Sequence, residues 1–413
     1  MILKPTTSQI KSPRWQAMSA APHRLMFLAG VFQVLATIAW WSLELIGRAA
    51  GTPLLPAAPV PATWAHGFLM VYGVFSFFIL GFLMTVYPRW MGGPPITRNH
   101  YIPAFVLMSA GVVIFYAGLL SMRPVLLAGI GLWLAGWLTA VTSLLLAFRR
   151  GGRHGSHEVL INLALIAAAV GMVSQLFGLL TGRAFFQVLG TDIGLWLYLA
   201  PIVFLVSHRM IPFFSQSALV NYDMLRPAWS PVAVTAGLAA HLVLDSAGLD
   251  RWLFLVDLPV TLIALHHSHV WGLRRSFEVR LLAMLHIAFL WFGVAMLLYA
   301  AHSLALWSGA ATALGRAPLH ALSLGFVTAM VIAMVSRVTL GHSGQALSAD
   351  TLTWWVFLGI YAATVLRIAA ELLPGVAATL QLASALAWLA AFLPWALRYA
   401  PLYLRPRRDG QPG

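Results

Sequence analysis

The chain has 413 residues, of which 61% are hydrophobic and 9% are charged. A soluble domain carries about 25% charged residues, so this composition excludes a soluble globular protein. No cysteine is present, which excludes disulfides, thiolate ligation of metal or haem, and iron–sulfur clusters. The net charge of +14 does not indicate nucleic-acid binding. The basic residues lie in short loops between apolar runs, where they set topology and meet lipid headgroups.

The apolar runs are long enough to cross a bilayer core of roughly 30 Å as helices. They predict an all-α polytopic membrane protein, a bundle of about twelve transmembrane helices that forms a single domain over residues 25–397. A cytoplasmic N-terminal segment (1–24) and a basic cytoplasmic tail (398–413) flank this domain. The predicted segments cover residues 25–46, 64–87, 102–120, 124–147, 159–180, 190–213, 230–247, 252–270, 281–306, 318–340, 352–372 and 376–397.

Charge in the loops predicts the orientation of the bundle. With the N-terminus in the cytoplasm, five of the 25 Lys and Arg residues lie in outer loops and Arg367 lies inside a segment, which leaves 19 on the inner side. The outer five are Arg48, Arg123, Arg183, Arg251 and Arg316. This bias follows the positive-inside rule and predicts that both termini are cytoplasmic.

Once the orientation of the bundle is assigned, the position of each histidine within its segment gives its depth in the membrane. His66 begins the second segment and His320 begins the tenth, and both of these segments run inward from the outer face. His241 lies in the outer half of the seventh segment, and His302 ends the ninth. Four imidazoles from four segments therefore share the outer side of the membrane. Ionisable groups within spans tend to face the bundle interior, although a lone histidine near a helix end also suits the lipid interface.

Other histidines lie near the inner face, among them His286 and His342. His320 and His342 bracket one apolar segment, and about 22 residues of helix separate them by roughly 33 Å. They therefore belong to different layers and cannot bind the same metal ion.

Imidazole pairs and arginines suggest a cofactor site. Two neutral imidazoles from different helices can bind the two faces of a haem iron, and imidazole also suits copper. His66 and His320 are the predicted axial ligands. Arg209 and Arg337, at inner helix ends, are candidates for binding haem propionates or another anion, and the alternative for each is anchoring at lipid headgroups.

Five blocks of the sequence resemble the NnrS family of bacterial inner-membrane proteins and follow one another in the order found in that family. They are PHRLMFLAG (22–30), WAHGFLMVYGVFSFFILGFLMTVYPRWMGGPPI (64–96), HRMIPFFSQ (208–216), LHIAFLWFG (285–293) and HALSLGFVTAMVIAMVSRVTLGHSGQ (320–345). The resemblance implies a multi-pass protein of the bacterial inner membrane that contains haem and copper. It also implies a role in nitric oxide metabolism, denitrification and defence against nitrosative stress.

Nine positions match the family pattern: Arg24, His66, Pro88, Arg209, Pro212, His286, His320, Arg337 and His342. The resemblance adds His286 and His342 to the candidate metal ligands, beside His66 and His320. His241 and His302 are candidates for a second metal or a distal pocket. Helix 2 of the family usually begins with HAHE, whereas this chain has Trp64, Ala65, His66 and Gly67, so a site that needs both histidines would be incomplete. His208 stands where a small residue is expected.

The predicted function is haem binding, with copper as a second expected cofactor, in the metabolism of nitric oxide or a related small molecule. Ligation by two histidines would favour electron transfer with an unidentified partner, and one open iron position would favour binding or reducing nitric oxide. The alternative is a membrane transporter of a small solute or metal without bound haem, whose site would lie near the bilayer midplane.

Overall fold

The computed structural model describes residues 13–152, 154–310 and 314–408. Lys4, Lys11, Arg153 and the end of the tail lie outside these ranges. Helices make up most of the described part of the chain, which contains no strand. The prediction of an all-α polytopic membrane protein is confirmed.

Among the described residues, ten helices are long and apolar enough to cross a membrane. Two 17-residue helices, Ser230–Ser246 and Phe254–Val270, occupy the predicted seventh and eighth positions. At 1.5 Å per residue these two cover roughly 26 Å. We number all twelve as spans 1 to 12 in chain order. The ten longer spans are Pro22–Ala50, Ala62–Trp90, Arg98–Leu119, Arg123–Arg150, Ser156–Thr181, Ala184–Ala218, Arg280–Trp307, Ala317–His342, Thr351–Leu372 and Pro374–Tyr403.

Proline and glycine mark the ends of several spans. Spans 1, 4, 7 and 10 have proline at the first or second helical position, where its missing N–H costs no hydrogen bond. Gly51 follows span 1 with φ of 70°, and its N–H bonds to the carbonyl of Arg48. Glycine adopts this left-handed conformation without the steric penalty of a Cβ.

The start of span 1 and the end of span 12 lie at the same end of the bundle. The guanidinium of Arg24, which is buried at the start of span 1, donates to the carbonyls of Leu402 and Arg405 at the end of span 12, with a distance of 3.0 Å to Leu402. We call this end the terminal face and the opposite end the distal face. The predicted orientation makes the terminal face cytoplasmic.

Spans 2, 6 and 10 lie at the centre of the bundle. Each contacts the other two, and the nine surrounding spans contact one another in the order 1, 3, 4, 5, 7, 8, 9, 11, 12, with span 12 closing on span 1. Burial follows this arrangement. In the most apolar 18-residue stretch of spans 2 and 10, 83% and 78% of the stretch is buried. In the corresponding stretches of spans 3 and 12, the buried share is 33% and 28%.

The three central spans share a local feature that hydropathy does not predict. Each changes from α-helix to π-helix in its distal half, over Leu69–Val74, Gly194–Leu199 and Ala321–Thr328. A π turn holds more residues than an α turn and is rare outside functional sites. Because the segments recur in every fourth span, the bundle has a threefold internal pattern.

Candidate functional site

The two predicted axial ligands lie together at the distal face. His66 is in the short helix Ala62–Phe68, directly before the π segment of span 2. His320 ends the helix Ala317–His320, directly before the π segment of span 10. The two imidazoles are close enough to interact electrostatically. Two central spans therefore present equivalent histidines at the same depth, as the sequence predicted.

The hydrogen bonds of His320 fix which nitrogen is free. Its Nδ1 lies 2.8 Å from the carbonyl oxygen of Arg316, one helical turn earlier. A carbonyl can only accept, so Nδ1 carries the proton and Nε2 keeps its lone pair. Backbone anchoring of this kind is how proteins orient a metal-binding imidazole.

His66 is oriented by stacking instead. Its ring lies on the indole of Trp41, with centroids 4.0 Å apart and an interplanar angle of 16°. Its Nδ1 is buried and makes no hydrogen bond to any described residue. A buried imidazole nitrogen without a partner is costly and calls for a ligand or a bound group. His66 thus has a donor atom that the protein itself does not use.

The glycines near His66 and His320 differ in how closely other atoms approach them. A Cβ added to Gly67 would meet no atom within 4 Å, so there is open space beside His66. A Cβ on Gly73 would approach Gln33 at 3.0 Å, and one on Gly325 would collide with Trp291 at 2.4 Å. Gly67 leaves room next to the histidine pair, while Gly73 and Gly325 serve helix packing.

Positive charge surrounds the pair. Arg48, Arg316 and Arg367 all act electrostatically on His66. Arg367 pairs with Glu371 at 2.6 Å, and Glu371 also accepts from the backbone N–H of Arg316 at 3.1 Å. Arg367 lies inside a span, as the sequence predicts, and the structure places it in the last turns of span 11. The i, i+4 spacing of Arg367 and Glu371 is the sequence signal for this pair.

His241 lies at the same end of the bundle in a second cluster. Its Nδ1 bonds to Asp257 Oδ1 at 2.7 Å, and their side chains are only 2% and 0% exposed. Trp196, from the π segment of span 6, packs on the imidazole with centroids 3.7 Å apart, and Tyr299 meets it edge-on at 5.0 Å. Asp257 Oδ2 has no hydrogen-bond partner among the described residues. The sequence reasoning missed Asp257, although an acid inside an apolar segment is itself a signal of function.

His302 has a different environment from His241. Its Nδ1 accepts from the backbone N–H of Leu314 at 3.0 Å and so holds the loop between spans 9 and 10. Within the described residues, no hydrogen bond or ring contact joins His302 to His241. The two candidates for a second metal are therefore not brought together.

A match over nearly the whole chain identifies the family. A family model described as NnrS protein matches residues 17–407. The chain belongs to the NnrS family. The match covers all twelve spans, so the resemblance in the five sequence blocks is confirmed. No curated protein is similar enough to the chain to count as a match.

The remaining NnrS positions lie towards the terminal face. Pro88 lies two residues from the end of span 2, whereas span 6 continues from Pro212 to Ala218, beyond the predicted end of this segment at residue 213. His286 Nε2 bonds to Ser215 Oγ at 2.9 Å. The ring of His342 lies 4.5 Å from that of His23. Neither histidine shares a layer with His66 and His320.

Both predicted anion-binding arginines lie far from the histidine pair. Arg337 follows His320 by about 17 residues, or roughly 26 Å of helix. It is buried, packs over Phe214 at 4.0 Å and has one long hydrogen bond of 3.4 Å to Ser217. Arg209 pairs with Glu158 at 2.6 Å and packs over Trp90 at 4.4 Å. Any anion they bind would lie at the terminal face, and that role stays a prediction.

A row of three imidazoles also lies near the terminal face. His208, which departs from the NnrS pattern, is 6.0 Å from His157 and 5.7 Å from His267 between ring centroids. Its Nε2 bonds to Ser230 Oγ at 2.9 Å, whereas both nitrogens of His267 are buried without a partner. No three His, Asp or Glu side chains of the described residues converge as a metal site requires.

Proposed function

We propose that this NnrS protein binds haem between His66 and His320 in the bacterial inner membrane. Its role would lie in nitric oxide metabolism or the response to nitrosative stress, as membership of the family implies. Haem, when bound, would supply a redox-active iron that can bind nitric oxide. The observation that carries the proposal is the placement of two imidazoles from two central spans at one depth.

The protein residues suit such a ligand in three respects. His320 presents Nε2, because its Nδ1–H is held by the carbonyl of Arg316. His66 has a buried ring nitrogen without a partner and open space at its neighbour Gly67. A π segment begins directly after His320 and three residues after His66, and such segments are frequent at functional sites.

The acidic edge of the macrocycle would meet arginines of the distal face. Arg48, Arg316 and Arg367 act on His66, and guanidinium groups bind carboxylates well. We therefore propose Arg367, oriented by Glu371, as a propionate ligand in this layer. For a haem held by His66 and His320, Arg367 takes the propionate-binding role that the sequence assigned to Arg209 and Arg337.

Copper, the second cofactor that the family implies, would be bound through His241. The carboxylate of Asp257 accepts the Nδ1 proton, which leaves Nε2 as the donor atom. A carboxylate that orients a metal-binding histidine in this way is a recurrent arrangement. Further ligands would have to come from groups that do not converge on His241 in this conformation.

The test is an absorption spectrum of the detergent-purified full chain from haem-replete cells, oxidised and reduced, with and without nitric oxide, together with iron and copper content. His66→Ala and His320→Ala should each abolish the Soret band. The control His269→Ala changes an exposed histidine at the terminal face and should retain it. His320→Met, which keeps an axial donor, should retain haem with a shifted spectrum.

Two outcomes would overturn the proposal. Wild-type protein that is colourless and free of iron would exclude haem and favour the transporter alternative. A Soret band that survives in both alanine variants would place the haem elsewhere. Size-exclusion profiles of the variants distinguish loss of ligand from loss of fold.

A further inference from the structure

A small apolar cavity lies where the three central spans meet span 1. Its volume is about 40 Å³, and all twelve side chains that line it are apolar. Each central span contributes lining residues: Phe78 and Phe82, Ile202 and Val206, and Met330 and Met334.

The cavity lies one turn beyond the π segments, near the middle of the membrane. Its first lining residues in spans 6 and 10 are Ile202 and Met330, and the π segments of these spans end at Leu199 and Thr328. Met330 follows His320 by about ten residues, or roughly 15 Å of helix. The cavity is therefore separate from the histidine layer but on the same central axis.

The chemistry of the lining restricts what the cavity can hold. A buried water needs two to four polar partners, and no polar side chain lines this space. Ions are excluded for the same reason. A volume of about 40 Å³ exceeds the roughly 10–15 Å³ that a water-sized molecule requires by the same measure. A small apolar molecule such as a diatomic gas, or a xenon atom, therefore fits.

The lining of the cavity is not uniformly buried. Most lining residues are buried, whereas Val206 of span 6 and Val331 of span 10 are partly exposed.

We propose that this cavity binds an apolar gas of diatomic size inside the central group of spans, as a store that supplies the histidine layer. The identification of that gas as nitric oxide rests on the proposed function. The cavity itself does not, because a chemically inert gas can occupy it in protein without haem.

The test measures xenon binding to the full chain in nanodiscs by xenon NMR, with and without haem. Val203→Phe fills the cavity from span 6, and Val203→Ile fills it with one added methylene and little strain. The control Leu262→Phe adds an aromatic ring at an exposed position of span 8. We expect xenon affinity to fall at least tenfold in Val203→Phe and several-fold in Val203→Ile, and to be unchanged in Leu262→Phe.

A second measurement concerns nitric oxide in haem-loaded protein. After photolysis, the fraction of nitric oxide that rebinds without escaping to solvent should fall several-fold in Val203→Phe. Wild-type protein that binds no xenon, or Val203 variants that bind it like the wild type, would overturn the cavity proposal. If wild-type protein from haem-replete cells binds xenon but contains no haem, the cavity proposal stands, and the absence of haem overturns the proposed function alone.

Discussion

At the residue scale, the polar side chains inside this bundle differ in whether their polar atoms have partners. His241 is satisfied by Asp257, and His320 by the carbonyl of Arg316. His66 and His267 keep buried nitrogens without a hydrogen bond to any described residue. Each of these orphan nitrogens either awaits a ligand or lowers the stability of the fold, and substitution distinguishes the two cases.

His267→Phe should stabilise the protein. Both nitrogens of His267 are buried without a partner, and its ring stacks on Trp271 with centroids 4.6 Å apart. A phenyl ring keeps the stacking and removes a desolvation cost of about 1–3 kcal/mol. The measurement is the melting temperature in detergent. His208→Phe is the matched control and should lower it, because the bond to Ser230 is lost. A fall in His267→Phe, accompanied by loss of bound metal, would instead assign a metal to this imidazole.

Arg367→Gln should loosen haem without abolishing its ligation. The substitution removes the guanidinium that is oriented by Glu371 beside the histidine pair. A hydrogen bond to a charged group contributes about 1.5 kcal/mol or more, so haem should dissociate roughly tenfold faster. Transfer of haem to a high-affinity acceptor protein gives the rate. Arg183→Gln, at an exposed distal position, should leave the rate unchanged, and equal rates in both variants would contradict the role of Arg367.

At the element scale, hydropathy predicts the twelve helices but not their internal geometry. The apolar runs place each span within a few residues, because burial of a helix in lipid depends on length and composition. The π segments depend on how spans 2, 6 and 10 pack on one another, and no local sequence pattern predicts them. The depth of His66 and His320 follows from span order, whereas the partners of Asp257 and Arg337 depend on neighbouring helices and could not be predicted.

Asp350→Ala should destabilise the start of span 11. The carboxylate of Asp350 caps this helix by accepting from the backbone N–H of Thr353 at 2.8 Å, and it also bonds to Arg398 at 3.2 Å. Loss of such a cap costs about 1 kcal/mol. The free energy of unfolding in detergent measures the effect. Asp223→Ala, in an exposed loop, is the control and should change it by less than about 0.5 kcal/mol.

The same carboxylate predicts the direction of a pH effect. Although partial burial opposes it, hydrogen bonds from Thr353 and Arg398 hold the pKa of Asp350 below its ordinary value of 3.8. A carboxyl whose pKa is lower in the folded state stabilises the fold above its unfolded pKa, and this contribution is lost as pH falls through the folded pKa. The difference in stability between the wild type and Asp350→Ala should therefore shrink below about pH 4. An unchanged difference at lower pH would contradict the prediction.

At the scale of the whole molecule, charge bias and the ring of spans specify the architecture together. The start of span 1 and the end of span 12 meet at one face through Arg24, so the twelve described spans make an even number of crossings. Which face is cytoplasmic depends on the bias of Lys and Arg in the loops.

Cysteine labelling should establish the orientation. Because the chain has no cysteine, a single introduced thiol is the only target of a membrane-impermeant maleimide. Thr52→Cys, in an exposed distal loop, should be labelled in cells whose outer membrane alone is permeable. Asp223→Cys, in the exposed terminal-face loop after span 6, should react only after the inner membrane is opened. The reverse pattern would invert the predicted topology.

The closure of span 12 on span 1 has a consequence for biogenesis. Span 2 leaves the ribosome long before the spans that finally cover it, so it must first be stable in lipid. The most apolar stretch of span 2 has a mean hydropathy of 2.2, although 83% of it is buried in the folded protein. A helix needs such hydropathy if it faces lipid for a time before its neighbours are inserted. One side of span 1 remains uncovered until span 12 is inserted and Arg24 can donate to the carbonyls at the end of that span. The ring therefore cannot close before span 12 has been synthesised, and a chain that stops before span 12 leaves this side of span 1 uncovered.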